Sequence, residues 1–302
     1  RTMRTYQLVI EGQAHLISEM SNNLYDITAT DTDIRTILDA LDASANLKIP
    51  LSEFIKSIAD ATVPLPYSIA EVIDQSNPIS NKVEISIPLQ PPEVWCAGVT
   101  YRRSMEERKE ESKTPDVYSR VYEADRPELF LKDSGHRTVG PFMPIGIRGD
   151  AIWSVPEPEL ACVIYGGSIV GFMAGNDVSS RDIEGANPLY LAQAKVYDRS
   201  CSIGPCFVPI DSIGDPQLLE ISMKVERDSV VTFQGQTNTN KMVRSCQELS
   251  GWLNKHNQVP DGTVLLTGTG IVPPQDFTLE KGDSVSISIE SIGVLTNDVV
   301  FV

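Results

Sequence analysis

The sequence predicts an α+β fold, strand-heavy and with a closed or rolled sheet, preceded by a small α+β N-terminal domain. Three observations carry this. Residues 1–28 alternate apolar and polar side chains. Short apolar runs of strand length recur from residue 94 to the end of the chain. Helical spacing is confined to a few brief stretches.

In the N-terminal part, the alternation of Tyr6, Leu8 and Ile10, then Leu16 and Ile17, marks a hairpin or short meander around Glu11-Gly12. Asp31-Thr32-Asp33 reads as a helix N-cap region before Ile34, Ile37, Leu38 and Leu41. A second helix is expected over 51–59. Residues 62–92 are rich in proline and serine without a strong period, and read as a linker ending in Pro88, Pro91 and Pro92. The natural division is a small domain over 1–85 and a larger one over 93–302. The larger domain opens on the buried-strand pattern Val94-Trp95-Cys96-Ala97-Gly98-Val99. A charged helix over 102–112 follows. Strands are then expected at 129–131, 160–165, 169–174, 203–209, 220–226, 264–268, 284–289 and 299–302, with helices at 181–184 and 245–255.

Composition narrows the function. The chain has 302 residues, 41% hydrophobic and 22% charged, enough for an ordinary globular core. Its net charge of −16 repels phosphate backbones and anionic lipid, so neither nucleic acid nor membrane is expected as a partner. An anionic substrate would need a local positive centre. No apolar run approaches the roughly 18 residues of a membrane span. The opening Arg1-Thr2-Met3-Arg4 has no apolar stretch behind it, so no signal peptide is expected and the protein is placed in the cytoplasm. Five cysteines without CxxC pairing read as reduced thiols. Only three histidines exist, His15, His136 and His256. That scarcity turns attention to carboxylates and lysine.

Four segments are candidates for chemistry. In Pro156-Glu157-Pro158-Glu159-Leu160, two acids at i and i+2 on an extended chain share a face. The prolines hold that chain extended. Taken alone, the pair fits a solvated acidic loop better than a site. Gly175-Asn176-Asp177 ends an apolar strand; Asp177 either completes a three-carboxylate site or caps a following helix. Oxygen-only ligands of this kind suit magnesium, manganese or calcium. Lys195, flanked by small and apolar residues, is a base or substrate-binding cation if burial lowers its pKa, or else a surface lysine. Thr267-Gly268-Thr269-Gly270 lets backbone N–H groups and hydroxyls approach a carboxylate, but ordinary turns look the same.

In order along the chain, these segments resemble the fumarylacetoacetate hydrolase family over about residues 93–302. The resemblance also uses the run from Val178 to Asp182, Ile203-Gly204-Pro205 and Ser291-Ile292-Gly293-Val294-Leu295-Thr296-Asn297. It implies a mixed β-sandwich roll. It also implies one magnesium or manganese ion on Glu157, Glu159 and Asp177, an active-site lysine at Lys195, and a carboxylate-binding threonine at Thr269. A homodimer or homotetramer is implied as well. One departure matters. Hydrolases of the family carry a His–Glu pair after the first strand of this domain; here the glutamate matches Glu107, but Ser104 occupies the histidine position. Serine cannot deprotonate water without a base of its own.

With Arg126-Pro127-Glu128-Leu129-Phe130-Leu131-Lys132 and Asn187-Pro188-Leu189-Tyr190, the chain is similar to the 2-keto-3-deoxy-D-arabinonate dehydratases within that family. Residues 1–85 resemble their small extra domain more loosely. This implies dehydration of a 2-keto-3-deoxy sugar acid to a 2,5-dioxo acid, with Glu128 and Lys195 catalytic. Ser180, Arg181, Thr269, Arg102 and Tyr101 are expected to hold the substrate, a small 2-oxo acid. Arg103 reads equally as a solvated helix face. Two other readings stand beside it. One is a hydrolase or decarboxylase of acylpyruvate-type acids, with His136 as the replacement base. The other is a non-catalytic sugar-acid binding protein.

Overall fold

The computed structural model describes residues 2–74 and 82–302. At its centre is an 11-stranded sheet covered on both faces. Strand Pro158–Tyr165 shows why. From Leu160 onward it is continuously apolar, and its side chains alternate between two cores. Leu160, Cys162 and Ile164 share one core with Ile221, Met223, Val285 and Ile287 of a five-stranded sheet. Ala161 and Val163 share the other with Ile37, Leu41, Phe54 and Ile55. Those four come from helices Ile37–Leu47 and Leu51–Ala59. A strand covered on both sides has no polar face. The fold is therefore mixed α+β, with two large sheets stacked face to face.

The large sheet runs in the order Asn23–Asp26, Gln13–Met20, Arg4–Ile10, Cys201–Pro209, Ser168–Asp177, Pro158–Tyr165, Thr263–Leu266, Val94–Gly98, Glu128–Asp133. The N-terminal strands join the rest where Thr5 pairs with Phe207. The smaller sheet holds Val230–Asn238, Glu220–Arg227, Ser284–Ile289, Gly293–Phe301 and Ile145–Ile147.

Several elements differ from the sequence reading. Helix Ile37–Leu47 begins at a capping box of Thr36 and Asp39. Asp31 instead closes the short helix Ile27–Thr30, capped by Asp26. Within 62–92, Ser68 and Glu71 cap a helix over Ile69–Ile73. Strand Val83–Ser86 pairs with Arg4–Ile10. Residues 75–81 of that stretch lie outside the described residues. Strand Val230–Asn238 is mostly exposed and has no apolar alternation to announce it.

One hairpin positions the site. Strands Pro158–Tyr165 and Ser168–Asp177 are antiparallel, joined at Gly166-Gly167, both with positive φ. Pro158 pairs with Asn176 and Glu159 with Gly175, so Glu157, Glu159 and Asp177 meet at the open end. All five cysteines are free and buried. Among the described residues, no helix is long and apolar enough to cross a membrane.

Candidate active site

Glu157, Glu159 and Asp177 are buried, and each offers a carboxylate oxygen within 4.8 Å of the others. The backbone sets them there. Asp177 N donates to Glu157 O at 3.0 Å, and Glu157 N donates to the Asn176 side chain at 3.1 Å. Gly268 N donates to Glu159 Oε2 at 2.8 Å. Gly268 has φ +95°, and a Cβ there would lie 2.1 Å from Thr100 Oγ1. The glycine of Thr267-Gly268-Thr269-Gly270 is thus required by close approach.

Four cations surround Glu157 and Asp177. Lys195 Nζ donates to Glu157 Oε2 and Asp177 Oδ2, both at 2.9 Å, and to Ser179 Oγ at 2.6 Å. Lys132, fully buried, lies 2.6 Å from Asp177 Oδ1 and donates to the carbonyls of Val178 and Lys195. Arg181 bridges Glu157 Oε1 at 2.8 Å and both oxygens of Glu111. Arg108 reaches Glu157 Oε1 at 2.5 Å, Glu111 at 3.3 Å and Glu184 at 3.3 Å. Burial by itself would raise the Glu157 carboxyl, but Lys195, Arg108 and Arg181 hold it well below the ordinary range.

Lys195 reverses one expectation. Burial pulls its pKa down, yet Asp177, Glu157 and Glu184 outweigh burial and hold it well above the usual lysine value. It is a firmly protonated cation in this structure, not a loosened base.

The same cavity is lined by Glu128, Phe130, Ser104, Glu184, Tyr118 and Thr269. Glu128 packs so tightly on Gly98 that a Cβ there would sit 2.2 Å from its Oε2. Burial, then the charge of Glu184, pushes the Glu128 carboxyl up to about 7. Thr269 Oγ1 donates to Ile271 O at 3.2 Å.

Not every expected site residue arrives. Arg102 is exposed and paired with Glu106, and with Tyr101 it lines a separate cavity beside Phe233 and Lys241. Ser180 is buried in a two-residue strand paired with Ser154, outside the carboxylate cavity. Arg181 acts through Glu157 rather than lining the cavity. Glu107 is held by Arg103 at 2.6 Å. His136 is exposed and bonded to Ser134. Among the described residues, no histidine lines the carboxylate cavity.

Four contributors escaped the sequence reading: Arg108, Lys132, Glu184 and Glu111. A signal existed for Lys132. Glu128, Phe130 and Lys132 alternate along one strand and so share a face. Ser104, Arg108 and Glu111 follow helical spacing on helix Arg102–Glu111, and all three turn inward.

The charges decide whether a cation fits. Arg108, Lys132, Arg181 and Lys195 form ion pairs with Glu111, Glu157, Asp177 and Glu184, a balanced set. Glu159 and Glu128 have no ion pair among the described residues. Burial and the charges of Asp177 and Glu157 push Glu159 well above the ordinary carboxylate range. One divalent cation cancels the two remaining charges, and the all-oxygen donor set suits magnesium, manganese or calcium.

Residues 93–300 match the Fumarylacetoacetate (FAA) hydrolase C-terminal family. The chain belongs to this family. Within it, the chain is 46% identical over 297 residues to a "Probable 2-keto-3-deoxyxylonate dehydratase" of Haloferax volcanii, covering 98% of this chain and 99% of that one. It is 43% identical over 224 residues to a "2-dehydro-3-deoxy-D-arabinonate dehydratase" of Saccharolobus solfataricus, covering 72% and 75%. A solved structure, "2-keto-3-deoxy-D-arabinonate dehydratase complexed with magnesium and 2,5-dioxopentanoate", superposes with a TM-score of 0.83 at 34% identity over 99% of each chain.

Proposed function

We propose that this family member dehydrates a 2-keto-3-deoxy sugar acid, a pentonate such as the arabinonate or xylonate, to a 2,5-dioxo acid, with magnesium on Glu157, Glu159 and Asp177. One observation carries the choice of dehydration over hydrolysis. Glu128 and Lys195 line the carboxylate cavity, whereas Ser104 stands there without a histidine. The dehydratase relatives, similar over nearly the whole chain or most of it, support the same reading.

The bound ion supplies Lewis acidity at the 2-oxo acid end of the substrate. The protein's own groups do the rest. Thr269, at the cavity wall, orients the carboxylate. Glu128, poised near neutrality, takes a proton from C3. Lys195 Nζ, held protonated, donates to the C4 hydroxyl, which leaves as water with a C3–C4 double bond formed. Lys195 then takes a C5 proton while Glu128 returns its proton to C3, and the resulting C4–C5 enol ketonises to the C5 aldehyde of the 2,5-dioxo acid. Arg108 and Arg181 fix Glu157. In keeping with the family resemblance, the chain assembles as a homodimer or homotetramer, which light scattering on the purified protein tests.

A turnover screen tests the reaction. With magnesium, 2-keto-3-deoxy pentonates should yield a new carbonyl product of one water less, and a chelator should abolish it. Acylpyruvates should remain intact. Cleavage of acylpyruvates instead would establish the hydrolase. Binding of sugar acids without product would establish a binding protein.

A further inference from the structure

Glu184 lies on helix Arg181–Ala186, just past the strand that ends in Asp177. It lines the carboxylate cavity beside Glu128. Its Oε1 is 3.3 Å from Arg108 Nε. Its Oε2 is buried without a hydrogen-bond partner among the described residues. Arg181 Nε is 3.9 Å away from it and equally unpartnered. That is beyond hydrogen-bond reach. A buried carboxylate oxygen left unmatched is costly, so this one is open to a donor from a ligand.

We propose that Glu184 Oε2 accepts a hydrogen bond from a hydroxyl of the substrate's sugar chain, and so selects hydroxylated 2-oxo acids. This rests on the dehydratase reading for the identity of the ligand. The chemistry of the gap fits a hydroxyl in particular. A hydroxyl can donate to Glu184, which lines the cavity. A methylene cannot. A second carboxylate, as in a dicarboxylic 2-oxo acid, meets like charge from Glu184 and from Glu128. Nor is Glu184 needed to neutralise Arg181, which Glu111 and Glu157 already engage. Glu184 thus completes a cavity that holds the 2-oxo acid at one end and a hydroxyl at the other.

The test is a selectivity ratio in magnesium-loaded protein. A 2-keto-3-deoxy pentonate is compared with 2-oxopentanoate, which has the same chain length and no hydroxyl. Affinity is read as KM where a compound turns over and as Kd by calorimetry where it does not. Glu184→Met, which has no acceptor, should lower the preference for the hydroxylated acid about 10- to 100-fold, the range of one hydrogen bond to a charged group. Because both acids are compared in the same magnesium-loaded variant, any change in metal affinity common to both cancels from the ratio. Glu184→Gln keeps the volume and a weaker acceptor, and should lose less; it also serves if the methionine variant folds poorly. An unchanged ratio in Glu184→Gln and Glu184→Met, even with overall weaker binding, makes Glu184 purely structural and overturns the proposal. If the wild-type protein binds both acids but forms no 2,5-dioxo acid, the dehydratase reading fails while the ratio still decides Glu184.

Discussion

Glu157 and Glu159 stand on the same face of one extended segment, and the protein surrounds them in opposite ways. Glu157 is held by Lys195, Arg108 and Arg181, which keep it ionised. Glu159 receives one backbone N–H and the repulsion of two neighbouring acids. Glu128, across the cavity, shares that lack of a cation. The difference separates two jobs. The Glu157 side is neutralised in advance by the protein and forms a rigid wall. The Glu159 side is left short of positive charge, which a ligand ion and the catalytic proton must supply.

The comparison breaks most visibly at Glu159. Glu159→Gln removes a ligand from the side that awaits the ion, and should weaken magnesium binding by calorimetry. Turnover should fall by several kcal/mol, about 10^3- to 10^4-fold. On the other side, Lys132→Met leaves Asp177 without one of its buried partners. It should cost about 3–5 kcal/mol of stability in urea denaturation. Glu128→Gln should lower turnover roughly 10^2-fold or more while magnesium content stays at the wild-type level.

Glu128 also carries a pH signature in the metal-free protein. Its carboxyl titrates near 7 when folded, against an ordinary value of 4.5. As pH rises the unfolded chain loses this proton first, so folding grows costlier between those values and the full cost is present above about 7. Glu128→Gln removes the cost and should stabilise metal-free protein at pH 8 by about 3 kcal/mol, on the order of the full shift. At pH 4 the variant and wild type should match. The smallest effect belongs to Arg102→Ala. Its exposed pairing with Glu106 lies outside the cavity, so kcat/KM should stay within about twofold.

Much of the site was legible because its key residues are close in sequence or repeat at a simple period. The acid-x-acid pair on an extended chain announced itself by spacing. Asp177 was legible as the end of an apolar strand, though only the hairpin register shows that it returns opposite Glu157. Lys195 was found, but its charge state was not, because that depends on three carboxylates from other elements. Arg108 and Glu184 were hidden for the same reason. Nothing local distinguishes an arginine in a charged helix that points inward from its exposed neighbours Arg102 and Arg103. In the fold, long apolar strands were recovered, whereas Val230–Asn238 and Ile69–Ile73 were not. One is too exposed and the other too short for periodicity to speak.

The most direct test is to strip the protein with a chelator, titrate magnesium back by calorimetry, and follow 2,5-dioxo acid formation from 2-keto-3-deoxy-arabinonate in parallel. Turnover should vanish in the stripped protein and return as one magnesium per chain binds, with Glu159→Gln failing to recover at the same concentrations. Full turnover in the stripped protein, or recovery in Glu159→Gln that matches wild type, would contradict a metal-assisted dehydration on this carboxylate trio.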